Sequence, residues 1–433
     1  MTHELPLPAG EIQELTEQFP TPFHLYDEAG IRGTAQKLNQ IFDWVKGANG
    51  EGYMNYYAVK ANPNPYVVEI VGEEGMGADV SSGPEIQIAS AVGLLGNEIM
   101  FSSNHTHPGE YRRAHESGAI LNLDDISQID RVLVELDDTF PTTISFRYNP
   151  GAKKTTGVNE MIGNPESAKF GVPDELMESA YRRAIDLGVE HFGMHTMVAS
   201  NELDAGQHVA TARLVFAKIA ELSKSLGIAF EFANLGGGLG IPYRPGEQPL
   251  NYAVLREGIQ QAYEELIIGN GLPPLRVVTE NGRHVTGPHG WLITRVTDIK
   301  QGYHTDVGVD ATTGSDLPRP AVYDAYHEIT PVGVPGEDEY LQRVVGSLCE
   351  DNDYFTGAKT KERLLLRLIQ GDLLAIGNTG AHSRAMGSNY NGKLRCGEVL
   401  LRMDGSVQMI RRPETEADLF ATLDYPDLKP ATH

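Results

Sequence analysis

The sequence predicts an α/β protein, a (β/α)₈ barrel joined to a C-terminal antiparallel β domain that takes in the N-terminal strand. Three observations carry this. Short β-rich runs alternate with amphipathic helical stretches until about residue 285; there are eight such runs; and beyond them helical periodicity gives way to short strands and turns.

The strands are read at 54–59, 76–81, 98–103, 119–124, 143–149, 191–198, 229–236 and 275–280. Between them, stretches such as "GPEIQIASAVGLL", "DDISQIDRVLVEL" and "PDELMESAYRRAIDLG" repeat apolar residues at three and four, the helical period. Strand–helix alternation demands parallel strands, because each crossover returns the chain to the same sheet edge. An open doubly wound sheet satisfies that alternation too; the count of eight favours the barrel. Past residue 285, "GWLITRVTDIKQ", "RVVGSLCE", "GDLLAIGN", "GEVLLRMDG" and "VQMIRR" read as strands of a β domain, which "TPFHLYD" near the start could join. The expected divisions are 1–35 as an N-terminal segment on the β domain, 36–285 as the barrel and 286–433 as the β domain.

The 433 residues carry a net charge of −24 and no basic run, which argues against nucleic acid or an anionic membrane surface as partner. No stretch approaches the roughly 20 apolar residues a membrane span needs, and the start lacks a secretory signal. Two cysteines, Cys349 and Cys396, are too few for a disulfide framework and point to a reducing cytoplasm.

Active residues of a barrel sit at the C-terminal ends of its strands. Lys60 follows the first. It is either a lysine emerging at the rim or a nucleophilic amine, which requires partial desolvation. "NLGGGLGIPY" (234–243) follows the seventh, where barrels often hold phosphate; glycines let backbone N–H groups approach an anion, although a tight turn also uses them. The loop lacks the GK[ST] of a nucleotide triphosphate site. "VVTENGRHV" (277–285) ends the eighth with Glu280 and Arg283, a rim ion pair or a carboxylate and a guanidinium for a ligand. An amine, an anion nest and a carboxylate at three strand ends suit one cofactor, pyridoxal 5′-phosphate, with its aldehyde, phosphate and pyridine nitrogen.

With these motifs the chain resembles the fold type III pyridoxal-phosphate decarboxylases, which have an alanine-racemase-like barrel, and most closely those acting on diaminopimelate. "YAVKAN" resembles the family's lysine motif, "GADVSSGPEI" the segment after the second strand, "AKFGV" a Lys-Phe-Gly turn and "ENGR" the usual Glu-Pro-Gly-Arg. "RPAVYDAYHEI" resembles the substrate segment, "GSLCEDNDYF" the Cys-Glu-x-x-Asp element and "GNTGAHSRAMGSNYNG" the closing Gly-Ala-Tyr stretch. The resemblance implies that Lys60 holds the cofactor covalently and that Glu280 keeps its ring nitrogen protonated. Asp79, Met197, Ser200, Gly236, Gly237, Gly238 and His382 would complete the cofactor site. Arg283, Arg319, Tyr323, Glu350 and His382 would bind substrate, with Cys349 as proton donor. Cys349 and Glu350 would come from the neighbouring subunit of a homodimer. The implied reaction is decarboxylation of meso-2,6-diaminopimelate to L-lysine, the arginines taking its far carboxylate.

Three departures stand out. The family's His-x-His-Ile-Gly-Ser is "HTMVAS", so Met197 replaces the histidine that stacks on the cofactor, while His195 survives and is read as structural. His382 replaces a tyrosine. His105 and His107 stand where a lysine is common; without a third ligand they make no metal site. The alternatives are a related decarboxylase acting on D-lysine, ornithine or arginine, an amino-acid racemase, and a cofactor carrier, against which the β domain and the Cys349–Glu350 element argue.

Overall fold

Each of the eight expected runs forms a strand, and the strands close on one another. The computed structural model describes residues 5–48, 50–151, 169–357, 359 and 361–425, so Ala168 of the Lys-Phe-Gly turn lies outside the described residues. The strands are Met54–Ala58, Gly77–Val80, Ile99–Ser103, Ile120–Leu123, Thr143–Asn149, His191–His195, Phe230–Asn234 and Arg276–Thr279. All neighbours pair in parallel, and pairing of the eighth strand with the first (Val278 with Met54) closes the ring. Helices connect them, several begun by a cap the sequence supplies: Asn64 before Pro65–Glu73, Asp204 before Ala205–Leu226 and Asn251 before Tyr252–Leu266 each accept a first-turn N–H.

The barrel interior follows from the two-residue period of strands. Tyr56, Met100, Ile120, Phe232 and Val278 meet in an apolar layer. Two residues further along four of these strands stand Ser102, Asn122, Asn234 and Glu280, joined by hydrogen bonds into a polar layer at the C-terminal mouth. One alternation thus supplies both a core and a site. Gly193 is the small partner the apolar layer requires, since a Cβ there would lie 2.0 Å from the Phe232 ring.

The chain divides into two compact units. The barrel unit comprises Arg32–Ile241 and Gln248–Val285; the other takes in the residues up to Ile31, Pro242–Glu247 and those from Thr286 onward. In that second unit the strand Phe23–Asp27 lies between Gly290–Gln301, antiparallel to it, and Gly397–Leu401, parallel to it. A second parallel pair joins Thr305–Val309 to Glu339–Val345, and the remaining pairings are antiparallel. Phe23 and Leu25 are buried with Trp291, Ile293 and Val399. On the same strand the Tyr26 hydroxyl donates to buried Glu398 at 2.8 Å, and Arg411 pairs with that carboxylate's other oxygen.

The close fit at Gly193 is testable. Gly193→Ala should cost about 1–3 kcal/mol in urea unfolding, the usual range for overpacking. Adding Phe232→Leu should recover part of that loss, a coupling that independent sites would lack.

Candidate active site

After Ala58 the chain leaves the sheet in a single 3₁₀ turn, Val59–Ala61. Val59 and Ala61 are buried and Lys60 is exposed, so the turn anchors its flanks and delivers the amine outward. Lys60 therefore stands one residue past the strand, in a cleft of about 290 Å³ shared with Ser102, Asn122, Asp124, Arg147 and Phe170. The desolvation that a nucleophilic lysine needs is not supplied by burial here.

Two buried carboxylates, Asp79 and Glu280, lie close enough to Lys60 for its charge to act on both. Burial opposes the charge on Glu280; an imidazolium at His195 would lower the carboxyl most, and the His195 hydrogen bond, Lys60 and the Asn234 amide favour the charged form too. The Asn234 Nδ2 donates to Oε1 at 2.7 Å, and His195 Nε2 lies 3.0 Å from Oε2. Asp79 is pushed the opposite way, chiefly by burial and then by the negative Glu280 beside it. Its Oδ1 is buried without a hydrogen-bond partner among the described residues. One carboxylate thus stays charged at the mouth and its neighbour tends to stay protonated.

Gly236, Gly237 and Gly238 follow the seventh strand with no room for side chains. A Cβ would meet the Thr196 carbonyl oxygen at 2.1 Å, that of Glu280 at 2.4 Å and that of Ala199 at 2.4 Å respectively. Gly236 and Gly238 have φ of +68° and +97°, a region glycine enters freely. Struts hold the loop. Asn234 Oδ1 accepts from the Gly236 N–H at 2.9 Å, Asn281 Oδ1 from that of Leu239 at 3.1 Å, and Asn201 Oδ1 from that of Ile241 at 3.0 Å. Behind it, buried His284 engages the Gly240 carbonyl through Nδ1 at 3.0 Å and the Tyr252 hydroxyl through Nε2 at 2.8 Å. Ser200 is half-buried in the adjoining segment, and Arg283 begins the short helix Arg283–Thr286. The Gly237 N–H points at the Met197 sulfur, 3.2 Å away, so the thioether lies against the nest.

The barrel unit therefore holds Lys60, Asp79, Met197, Ser200, the three glycines, Glu280 and Arg283. The other predicted residues belong to the second unit. Arg319 is buried, its guanidinium 5.4 Å from the Tyr243 ring centroid and 5.7 Å from that of half-exposed Tyr323. Cys349 and Glu350 are exposed on the loop after Glu339–Val345, the Cys349 N–H donating to Asn391 at 2.8 Å. His382 has φ of +53°, a left-handed conformation on the loop after Leu373–Ile376.

Sequence reasoning missed Ser102, Asn122 and Asn234, and read His195 as structural although it touches Glu280. Their signal was the alternation itself, which sets Asn122 two places beyond Ile120 and Asn234 two beyond Phe232 on inward-facing positions.

The profile of a family described as pyridoxal-dependent decarboxylase, pyridoxal binding domain, matches residues 36–287. The chain is 37% identical to Protein TabA of Pseudomonas amygdali pv. tabaci, over 94% of this chain and 92% of that protein. It is 35% identical to a diaminopimelate decarboxylase of Methanothermobacter thermautotrophicus, covering 95% and 94% of the two chains. The crystal structure of the Helicobacter pylori diaminopimelate decarboxylase complexed with L-lysine superposes with a TM-score of 0.83 at 28% identity, covering 95% of this chain and 98% of that one.

The strut at His284 predicts a pH dependence. Burial, then the charge of nearby His208, lowers its pKa from 6.5 to about 4 against the opposing Gly240 bond. Between those values the unfolded chain binds the extra proton, so His284 favours folding fully above about pH 6.5 and loses that contribution as pH falls toward 4. Asp79 slopes the other way but is present in both proteins of a comparison. The stability gap between wild type and His284→Gln should therefore change by up to about 3 kcal/mol over this window in urea titrations.

Proposed function

Since the chain belongs to the pyridoxal-dependent decarboxylases, we propose that it converts meso-2,6-diaminopimelate to L-lysine and carbon dioxide, as a cytoplasmic homodimer. The observation that carries the cofactor part of this reading is a buried Glu280 whose carboxyl is held low, in the same barrel mouth as an exposed lysine and a three-glycine nest. These residues fit pyridoxal 5′-phosphate. The nest has no room for side chains, Asp79 keeps an oxygen without a partner among the described residues, and Lys60 opens on the cleft.

When bound, the cofactor supplies the electron sink that a departing carboxylate leaves its electrons in. The chain supplies the rest. Lys60 would hold the cofactor's aldehyde covalently. Gly236, Gly237, Gly238 and Ser200 would take its phosphate, with His382 in support. Glu280 would accept from its ring nitrogen as a charged acceptor, with Asp79 near that carboxylate, and Met197 would cover the ring. Arg283, Arg319 and Tyr323 bind the far carboxylate, and Glu350 the far ammonium. Cys349 gives a proton from Sγ to the carbon that has lost carbon dioxide. Cys349 and Glu350 serve the neighbouring subunit's site, in keeping with their exposure on a single chain.

The far carboxylate decides the substrate. Two arginines suit a diacid, whereas ornithine, lysine and arginine carry no far carboxylate for them to bind. A related decarboxylase acting on another amino acid is the second reading, favoured by Met197 and His382 where the family has histidine and tyrosine.

Cofactor-loaded protein should release carbon dioxide and equimolar L-lysine from meso-diaminopimelate, and none from D-lysine, L-ornithine or L-arginine. Turnover confined to a substrate without a far carboxylate would overturn the assignment. Lys60→Ala should lose the visible absorption band. Arg319→Ala should raise KM about 10–100-fold, the loss of one charge-assisted hydrogen bond.

A further inference from the structure

His195 is a deeply buried polar neighbour of Glu280 with two partners close to its ring nitrogens. Its ring is 2% exposed, with Nδ1 2.7 Å from Asn122 Nδ2 and Nε2 3.0 Å from Glu280 Oε2. The Nε2 contact is close but off the axis of a linear hydrogen bond, and no other partner reaches that nitrogen among the described residues. A bare nitrogen lone pair facing a carboxylate at this distance is repulsive, so the proton belongs on Nε2. The remaining question is whether Nδ1 carries one too. Asn122 turns its Nδ2 to both Nδ1 and the Ser102 Oγ, the latter at 3.1 Å, and leaves its Oδ1 buried without a partner among the described residues. With that group as donor, Nδ1 is the acceptor and the imidazole is neutral.

We propose that His195 is a positioning residue for Glu280: Asn122 fixes it as the neutral Nε2–H tautomer, and it holds the carboxylate toward the cofactor's ring nitrogen without adding a second positive charge there. This rests on the cofactor reading above. A neutral donor matters because an imidazolium would compete with the protonated ring for the same carboxylate, whereas a neutral N–H supports the charge and leaves it for the ring. The other groups facing Glu280 are consistent with this. Asn234 and Ser102 are neutral, Asp79 is driven toward its neutral form, and Lys60 is the cation the cofactor engages.

The test uses two labels. In cofactor-free protein with ¹⁵N-histidine, the resonances lost in His195→Gln should be those of a neutral ring protonated at Nε2. An imidazolium or the Nδ1–H tautomer there overturns the proposal. In protein loaded with pyridoxal phosphate labelled with ¹⁵N in its ring, the wild type should show a protonated nitrogen at neutral pH. His195→Leu should shift that signal toward the unprotonated position and lower kcat with KM little changed, while His195→Gln, which keeps an N–H donor, should stay close to wild type. An unchanged ring signal in folded His195→Leu also overturns the proposal. Should that variant fail to fold, Asn122→Leu takes its place, with loss of the single tautomer expected and its persistence contradicting the role of Asn122. A wild type that takes up no cofactor refutes the cofactor reading instead, and the histidine labels still report the tautomer.

Discussion

Burying a carboxylate and keeping it charged is the constraint around which the barrel mouth is organised. An isolated buried carboxylate takes up a proton instead of paying the desolvation cost. Glu280 escapes that because an amide from the seventh strand and an imidazole from the sixth converge on its two oxygens, with the Lys60 charge adding to them. Asp79, on the second strand, has fewer donors and Glu280 for a neighbour, so it goes the other way. The two acids divide the work that neither could do while both were charged.

The glycine loop answers a related need. An anion held by backbone N–H groups requires those groups to be close, convergent and unshielded. Carbonyls of Thr196, Ala199 and Glu280 crowd the three glycines from the side a Cβ would occupy, so only glycine lets the strand ends approach this closely. Packing alone would leave such a loop free to rearrange. The side chains of Asn234, Asn281 and His284 each satisfy one of its backbone groups and that of Asn201 two, which makes its shape a property of the surrounding barrel.

Most of the architecture was legible because it rests on local periodicity. The eight strands declare themselves through β-rich runs between helical stretches, and Lys60, the glycines and Glu280 through their position at strand ends. What was not legible depends on register and closure. Asn122 and His195 are 73 residues apart and meet only because their strands flank the same fifth strand of a closed ring. A single asparagine in "AILNLDD" carries no mark of which residue it will face. The parallel pairing of Phe23–Asp27 with Gly397–Leu401 was hidden for the same reason, since strand composition does not encode the direction of a partner.

The departures from the family pattern do not all bear on the same question. Where the usual motif reads Glu-Pro-Gly-Arg, this chain has Asn281, and the difference is absorbed within the scaffold. Asparagine brings an N–H that proline lacks, and that N–H donates to Asn55 Oδ1 at 2.7 Å while Asn55 Nδ2 donates back to the Asn281 carbonyl at 3.0 Å. The Asn281 side chain then reaches the glycine loop through Leu239. One substitution therefore joins the first strand, the eighth strand and the nest. Met197 is different in kind. Its sulfur lies 3.2 Å from the Gly237 N–H, so an anion bound by that N–H would have to displace the thioether. An imidazole could have titrated or donated in that place; a thioether does neither.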